Sequence, residues 1–130
     1  MKIMNKETNV TELMSKVINE KWTAAERLIE ESSKEELNAL DKDSENVLFY
    51  FGSIIFYERN YEIAKKLLKK VIQKGCNIHQ KSRYGYTCAE WINIGKRENP
   101  IRQKEITEIL EGKKYICWQI YFNLLQLLRR

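Results

Sequence analysis

Between two apolar helical segments the chain reads Gly75-Cys76-Asn77-Ile78-His79-Gln80-Lys81-Ser82-Arg83-Tyr84-Gly85-Tyr86-Thr87. Gly75 can adopt the left-handed conformation that ends a helix. Gly85 can reverse the chain, and Thr87 can cap the helix that follows. The segment therefore predicts a helix end, a short reversed excursion, which we call a finger, and a new helix. This order is typical of a junction between stacked helical repeats, a class that mostly binds other proteins.

The composition predicts a single all-α domain over residues 1–130. Of the 130 residues, 43% are apolar and 32% are charged, with five glycines and one proline. Such a chain can bury a core and needs few turns. The first residues lack an apolar core, so we expect no signal peptide. The three cysteines, Cys76, Cys88 and Cys117, form no Cys-x-x-Cys pair. This spacing favours reduced thiols and a cytoplasmic protein.

The net charge of +5 is unevenly distributed. Residues 1–47 carry seven basic and eleven acidic side chains, residues 48–95 carry eight and three, and residues 96–130 carry eight and four. An acidic first third beside a basic remainder predicts a dipolar surface that can steer a charged partner.

Apolar residues at helical spacing predict a series of helices separated by short polar turns. The predicted helices cover Thr11–Glu20, Trp22–Glu31, Asn46–Tyr57, Tyr61–Lys74, a segment from Thr87 onward, Arg102–Glu111 and the tail 115–130. A basic loop around Pro100 separates the fifth helix from the sixth. The Asn46–Tyr57 helix is apolar on nearly all sides, which predicts that it is buried between neighbours.

This order resembles the ankyrin repeat, a turn and two antiparallel helices of about 33 residues. Gly75 to His79 is similar to the family's Gly-Ala-Asp-Val-Asn segment, and Gly85 to Ala89 is similar to its Gly-x-Thr-Pro-Leu segment. Leu37-Asn38 matches Ile78-His79, and Ser44 to Leu48 matches Gly85 to Ala89, both at an offset of 41 residues. The first unit opens at Asn9, 35 residues before Ser44.

The resemblance implies an ankyrin-like solenoid with units at about 9–43, 44–84 and 85–112. The terminal helix 115–130 would cover the exposed end of the core. No unit keeps the proline or histidine of the family signature, and bulky residues such as Phe51 and Ile92 stand where the family has small ones. The middle unit is overlong, and we expect its excess to add one turn to each of its helices.

The residues predict neither catalysis nor a bound metal or cofactor. The only histidine is His79, for which a structural hydrogen bond is the expected role. Cys76 and His79 form one Cys-x-x-His pair, whereas a zinc site of four protein ligands needs a second pair. No glycine-rich phosphate loop is present.

Two further segments leave alternatives open. A lysine row on the fourth helix fits a solvated face, or a phosphate-binding face in an alternative nucleic-acid-binding protein; it comprises Lys65, Lys66, Lys69, Lys70 and Lys74. The apolar part of the tail is too short to span a bilayer. The tail can cap the stack, mediate self-association or contact a membrane, and we expect a cap and no membrane partner.

The resemblance implies that finger tips and the adjoining inner-helix face bind a partner protein. The corresponding residues here are Leu40, Lys42, Asp43 and Glu45 on the second finger, Lys81, Arg83, Tyr84 and Tyr86 on the third, and Ser53 and Ile94 on the helices. The composition, rich in lysine, isoleucine and asparagine, is typical of an AT-rich bacterial or viral gene. Small ankyrin-like proteins of bacteria include immunity proteins, so the resemblance implies a non-enzymatic interaction protein, specifically an immunity protein that neutralises a secreted toxin domain by occlusion.

Overall fold

The computed structural model describes residues 1–112 and 124–128 of this chain. Over these residues the fold is mostly helical, which confirms the predicted all-α class. In chain order the elements are β1 (Ile3–Asn5), β2 (Val10–Thr11), α1 (Glu12–Ile18), α2 (Trp22–Glu31), α3 (Lys34–Leu37), α4 (Val47–Ile54), α5 (Tyr61–Gln73), α6 (Cys88–Ile94) and α7 (Pro100–Glu111). Residues 124–128 are also helical. The remainder of the predicted terminal helix lies outside the described residues.

The helices form two layers. In the first layer α4 contacts both α1 and α6, and in the second α5 contacts both α2 and α7. Each first-layer helix also packs against the second-layer helix that follows it in the chain. One apolar core joins the layers and includes Phe51, whose side chain is fully buried and stacks on Trp22 with ring centroids 6.4 Å apart. Burial of α4 therefore follows from its apolar sequence.

Each first-layer helix begins at a polar cap; Thr11 and Thr87 were predicted as caps, and Asn46 was predicted as the start of its helix. Thr11 Oγ1 accepts from Met14 N, Asn46 Oδ1 accepts from Leu48 N and Thr87 Oγ1 accepts from Glu90 N. Each cap supplies an acceptor for a backbone N–H that the first turn cannot satisfy internally. The three caps are separated by 35 and 41 residues, so the sequence offsets locate corresponding helix starts.

Side-chain hydrogen bonds to the backbone join the first predicted unit to the second. Asn38 donates through Nδ2 to Gly75 O at 2.9 Å and accepts through Oδ1 from Asn77 N at 2.7 Å. Within the middle unit, Asn46 donates through Nδ2 to Asn77 O at 2.9 Å and so holds the start of α4 against the same turn. In the second layer Lys74 donates through Nζ to three carbonyls at the end of α2; the distances are 2.6 Å to Ile29, 3.0 Å to Glu30 and 2.8 Å to Ser32.

The middle unit accommodates its excess length differently from our prediction. The second-layer helix α5 is longer than α2 by three residues, close to the expected extra turn. The first-layer helix α4 gains no such turn, because it ends at Ile54 and residues 55–60 form turns. Asn60, which is buried, donates through Nδ2 to Ile54 O at 3.0 Å and satisfies a carbonyl at that helix end.

Other local features were either not predicted or differ from the prediction. A two-stranded antiparallel hairpin, β1–β2, precedes α1, and the short helix α3 follows Ser33, whose side chain caps it. The loop around Pro100 is shorter than expected, since Pro100 is the first residue of α7, where its missing N–H leaves no unmet donor. Gly52 also allows close packing of α4 on α6, because a Cβ there would lie 3.0 Å from Trp91.

Candidate functional site

Three fingers precede the first-layer helices: residues 5–10, 40–45 and 81–86. Each finger turns through one residue with positive φ, namely Asn9 at 57°, Ser44 at 58° and Gly85 at 87°. Each also contains a side-chain oxygen that accepts a hydrogen bond from the backbone N–H two residues later; the acceptors are Asn5, Asp41 and Ser82. The second and third fingers share one turn, in which the positive-φ residue donates through its backbone N to the carbonyl three residues earlier. The first finger is one residue wider, since Asn9 N donates to Asn5 O.

Backbone hydrogen bonds join the three finger tips in order. Lys42 N donates to Thr8 O at 2.8 Å, and Arg83 N donates to Asp43 O at 2.8 Å. An ion pair with 3.3 Å between Arg83 Nη1 and Asp43 Oδ1 reinforces the second contact. These bonds hold adjacent tips side by side and fix the spacing of the side chains they present.

The predicted binding residues fall into two groups. The finger group is mostly solvent-exposed, with Tyr84 64%, Tyr86 43% and Leu40 39% exposed. Lys42, Lys81 and Arg83 are also exposed, whereas Asp43 and Glu45 are half-buried. The structure brings Asp43 and Arg83 together, and the guanidinium carbon of Arg83 lies 5.0 Å from the centroid of the Tyr84 ring.

The second group lies farther along the first-layer helices. Ser53 and Ile94 are exposed and occupy corresponding positions, each seven residues after the cap of its helix. Seven helical residues extend about 10 Å. A partner that contacts both groups must therefore span from the finger tips along the exposed side of α4 and α6.

Sequence reasoning missed Asp41, which organises the second finger. Its Oδ1 accepts from Asp43 N at 2.9 Å and from Glu45 N at 3.0 Å, and its Oδ2 accepts from Tyr50 Oη at 2.6 Å. An aspartate that opens a turn commonly accepts from the backbone two residues later, and this signal was present in the sequence. The carboxylates of Asp41, Asp43 and Glu45 lie within 4.8 Å of one another.

Burial and the neighbouring carboxylates change the pKa of Glu45. Burial, with the charges of Asp41 and then Asp43, raises the pKa of Glu45 to about 7 from its ordinary value of 4.5. A pKa raised on folding means that protonated Glu45 favours the folded state. This contribution to the free energy of unfolding is fully present below pH 4.5, the ordinary pKa. It is lost as the pH rises through about 7, the pKa of Glu45 in the folded state.

We expect Glu45→Gln to stabilise the fold at pH 8 by about 1 kcal/mol, a value reduced for partial solvent screening. Glutamine imitates the protonated acid, so the variant and the wild type should have nearly equal free energies of unfolding at pH 4. Urea unfolding followed by circular dichroism at both pH values measures the difference. A difference that is the same at pH 4 and pH 8 would contradict the assigned charge repulsion.

The lysine row on α5 is largely occupied by contacts between helices. Lys65 pairs with Glu105 on α7 at 2.7 Å, Lys66 pairs with Glu26 on α2 at 3.8 Å, and Lys70 pairs with Glu26 at 3.4 Å and Glu30 at 3.7 Å. Lys74 caps α2. Among the described residues of the row, Lys69 alone has neither an ion pair nor a hydrogen bond to a described residue. This pairing fits a solvated second-layer face better than a phosphate-binding one.

The two residues of the Cys-x-x-His pair lie in different environments, because Cys76 is in the core and His79 is exposed to solvent. Cys76 is buried, its Sγ donates to Leu37 O at 3.5 Å, and burial raises its pKa to about 12. Burial also raises the pKa of Cys88. His79 is exposed, and Asn77 rather than the imidazole makes the turn hydrogen bond, since Asn77 Oδ1 accepts from His79 N at 2.9 Å. Cys117 lies outside the described residues.

No protein-family model, curated protein or solved structure matches this chain. Within residues 1–112 and 124–128, none of the helices combines the length and the apolar character needed to cross a bilayer.

Proposed function

We propose that this chain is a divergent ankyrin-type repeat protein that binds another protein and carries out no reaction. Two helical layers, three corresponding fingers and helix caps at offsets of 35 and 41 residues support the repeat assignment. On this proposal, residues that depart from the family signature still keep the backbone turns. Asn9 and Ser44, for example, adopt a positive φ, as Gly85 does.

The observation that carries the binding proposal is the row of interlocked finger tips with exposed aromatic side chains. Tyr84 and Tyr86 are exposed on the third finger, whose backbone is held to the preceding finger by the bond from Arg83 N to Asp43 O. Tyrosine and arginine are enriched at binding hot spots because they bury large area with few rotatable bonds. Tyr84, with Arg83 stacked on it, is thus the principal contact that we propose on the third finger.

The partner that we infer is a toxin domain that this chain neutralises by covering its active surface. Occlusion needs a large rigid contact surface and no catalytic group, and the finger and first-layer surfaces meet that need. The uneven charge, acidic at the start and basic afterwards, favours a partner with the opposite gradient. A nucleic-acid partner is the alternative, but the described lysines of α5 are mostly engaged by glutamates.

The immunity role is tested by co-expression with the protein encoded beside this gene. We expect cells that express that protein to survive only when this chain is also present. If the neighbouring protein is not toxic, or if cells die despite co-expression, the immunity role is refuted. Photo-crosslinking from a benzophenone amino acid at position 84, with position 69 as the control, tests protein binding separately.

Tyr84→Ala should weaken partner binding by about 30-fold, the loss typical of a hot-spot tyrosine. Isothermal titration calorimetry with the purified partner measures the change in Kd. Stability should change by no more than about 0.5 kcal/mol, because Tyr84 is exposed. Lys69→Ala, on the second layer, is the matched control and should leave Kd unchanged. Equal affinity of folded Tyr84→Ala and wild type would remove the finger tips from the contact surface.

A further inference from the structure

A second surface feature lies at the opposite end of α4 from the fingers. There the residues after α4 and the turn before α7 enclose a cleft of about 590 Å³. Its lining combines the aromatic rings of Phe56 and Tyr57 with three cations, Lys96, Arg97 and Arg102. Most of the other lining residues are also polar or charged, so the two rings supply the apolar contact in a mainly polar cleft. A cleft of this size with converging polar groups can hold a small organic molecule.

Arg97 is the unusual residue of this cleft. Its guanidinium carbon lies 4.9 Å from the centroid of the Phe56 ring, and its buried Nε donates to no atom of the described part of the chain. The residue is half-buried and forms no ion pair with any residue in 1–112 or 124–128. A cation that has lost part of its hydration normally has a bound anion as compensation.

The other described arginines that stack on an aromatic ring also pair with a carboxylate, whereas Arg97 pairs with none in the described part of the chain. Arg59 lies over Tyr57, Arg83 over Tyr84 and Arg102 over Tyr61. Each of these three also holds a carboxylate; the partners are Glu20 at 2.7 Å, Asp43 at 3.3 Å and Glu58 at 2.7 Å. Among the described arginines, Arg97 is the only one that stacks on a ring without a carboxylate.

The acidic residues of the cleft do not supply this missing partner. Glu58 accepts two hydrogen bonds from Arg102, at 2.7 and 3.2 Å. Glu98 is exposed, and no ion pair joins it to Arg97 in the described structure. Lys96 is exposed and likewise has no ion pair with a described residue. Lys96 and Arg97 therefore border the cleft beside two aromatic rings, and neither pairs with a carboxylate of residues 1–112 or 124–128.

We propose that this cleft binds a small organic carboxylate. The planar guanidinium of Arg97 matches a carboxylate with two parallel hydrogen bonds. Lys96 supplies a second positive charge, and Phe56 and Tyr57 offer apolar contact for the body of the ligand. Ser53, which belongs to the second group of predicted binding residues, also lines this cleft. Titration of a small carboxylate requires no protein partner, so its outcome tests the cleft and not the proposed protein binding.

Benzoate is the probe, benzamide is its neutral isostere and inorganic phosphate is an anion without an apolar body. Titration into ¹⁵N-labelled protein at constant ionic strength, followed by amide chemical shifts, should give saturable changes around residues 95–99 with benzoate. Benzamide should give none, and phosphate should bind more weakly. Arg97→Gln should weaken benzoate binding by about 10-fold, as expected when a charge-assisted bidentate contact is lost.

Two further variants make the test decisive. Arg97→Lys keeps a charge and an apolar stem but cannot bind bidentately, so benzoate should bind less tightly than to wild type and tighter than to Arg97→Gln. Lys69→Gln removes a second-layer lysine whose side chain has no partner among the described residues, and it should leave binding unchanged. The proposal is overturned if the shifts fail to saturate, if benzamide or phosphate binds as well as benzoate, or if both Arg97 variants bind like wild type.

Discussion

Phe51→Ala should lower the free energy of unfolding by about 3–5 kcal/mol, the cost typical of removing a fully buried phenylalanine. Phe51 has no exposed surface and stacks on Trp22 of α2, so its ring joins the two layers at the centre of the middle unit. The loss combines the apolar surface that is no longer buried with the cavity that remains. A domain of this size is stable by only about 5–15 kcal/mol, so the variant is expected to lie close to unfolding.

Urea unfolding monitored by circular dichroism measures this loss. Ser53→Ala, an exposed change two residues along the same helix, is the control and should alter stability by at most about 0.5 kcal/mol. Phe51→Leu should cost less than Phe51→Ala, because it retains more of the buried volume. A loss below about 1 kcal/mol for Phe51→Ala would mean that α4 is not the core helix described above.

Lys74→Met should cost about 2 kcal/mol of stability, within the range found for hydrogen bonds made by a charged group. The Lys74 ammonium donates to three carbonyls at the C-terminal end of α2, where the helix has no internal donors left and the helix dipole is negative. Methionine retains most of the apolar stem but leaves those carbonyls without their donor. The loss falls on the contact between the first and second units.

Lys69→Met is the matched control, since it removes a lysine of the same helix that has no partner among the described residues. It should change stability by no more than about 0.5 kcal/mol. Thermal unfolding at low and high salt separates the loss of hydrogen bonds from the loss of a positive charge. Salt screens an exposed charge more than it weakens a hydrogen-bonded cap. Equal losses in the two variants would contradict a capping role for Lys74.

The features that local sequence decides were predictable. Thr11, Asn46 and Thr87 cap helices because a short polar side chain can accept from the first helical turn. Gly85 has a positive φ, as its place after a polar tip indicated. Once these positions were aligned, the constant offset of 41 residues located the second finger even though Ser44 stands in place of glycine.

The features that depend on distant contacts were not predictable from one sequence. The end of α4 is set by Asn60, which lies six residues after the carbonyl it satisfies, and apolar periodicity continued past that point. The bond between Tyr50 and Asp41 joins a helix to its preceding finger, and no spacing rule marks it. Arg97 in the sequence is one of many basic residues, and only its ring contact and missing carboxylate distinguish it.

The backbone bonds between finger tips also bear on the entropy of binding. Loops that order themselves on contact lose conformational freedom at that moment, and this loss is subtracted from the affinity. Here Lys42 N and Arg83 N already bond to the preceding finger, so the tips are fixed before any partner arrives. Ordering on association is then confined to exposed side chains such as Tyr84. Even a modest contact area can then give slow dissociation.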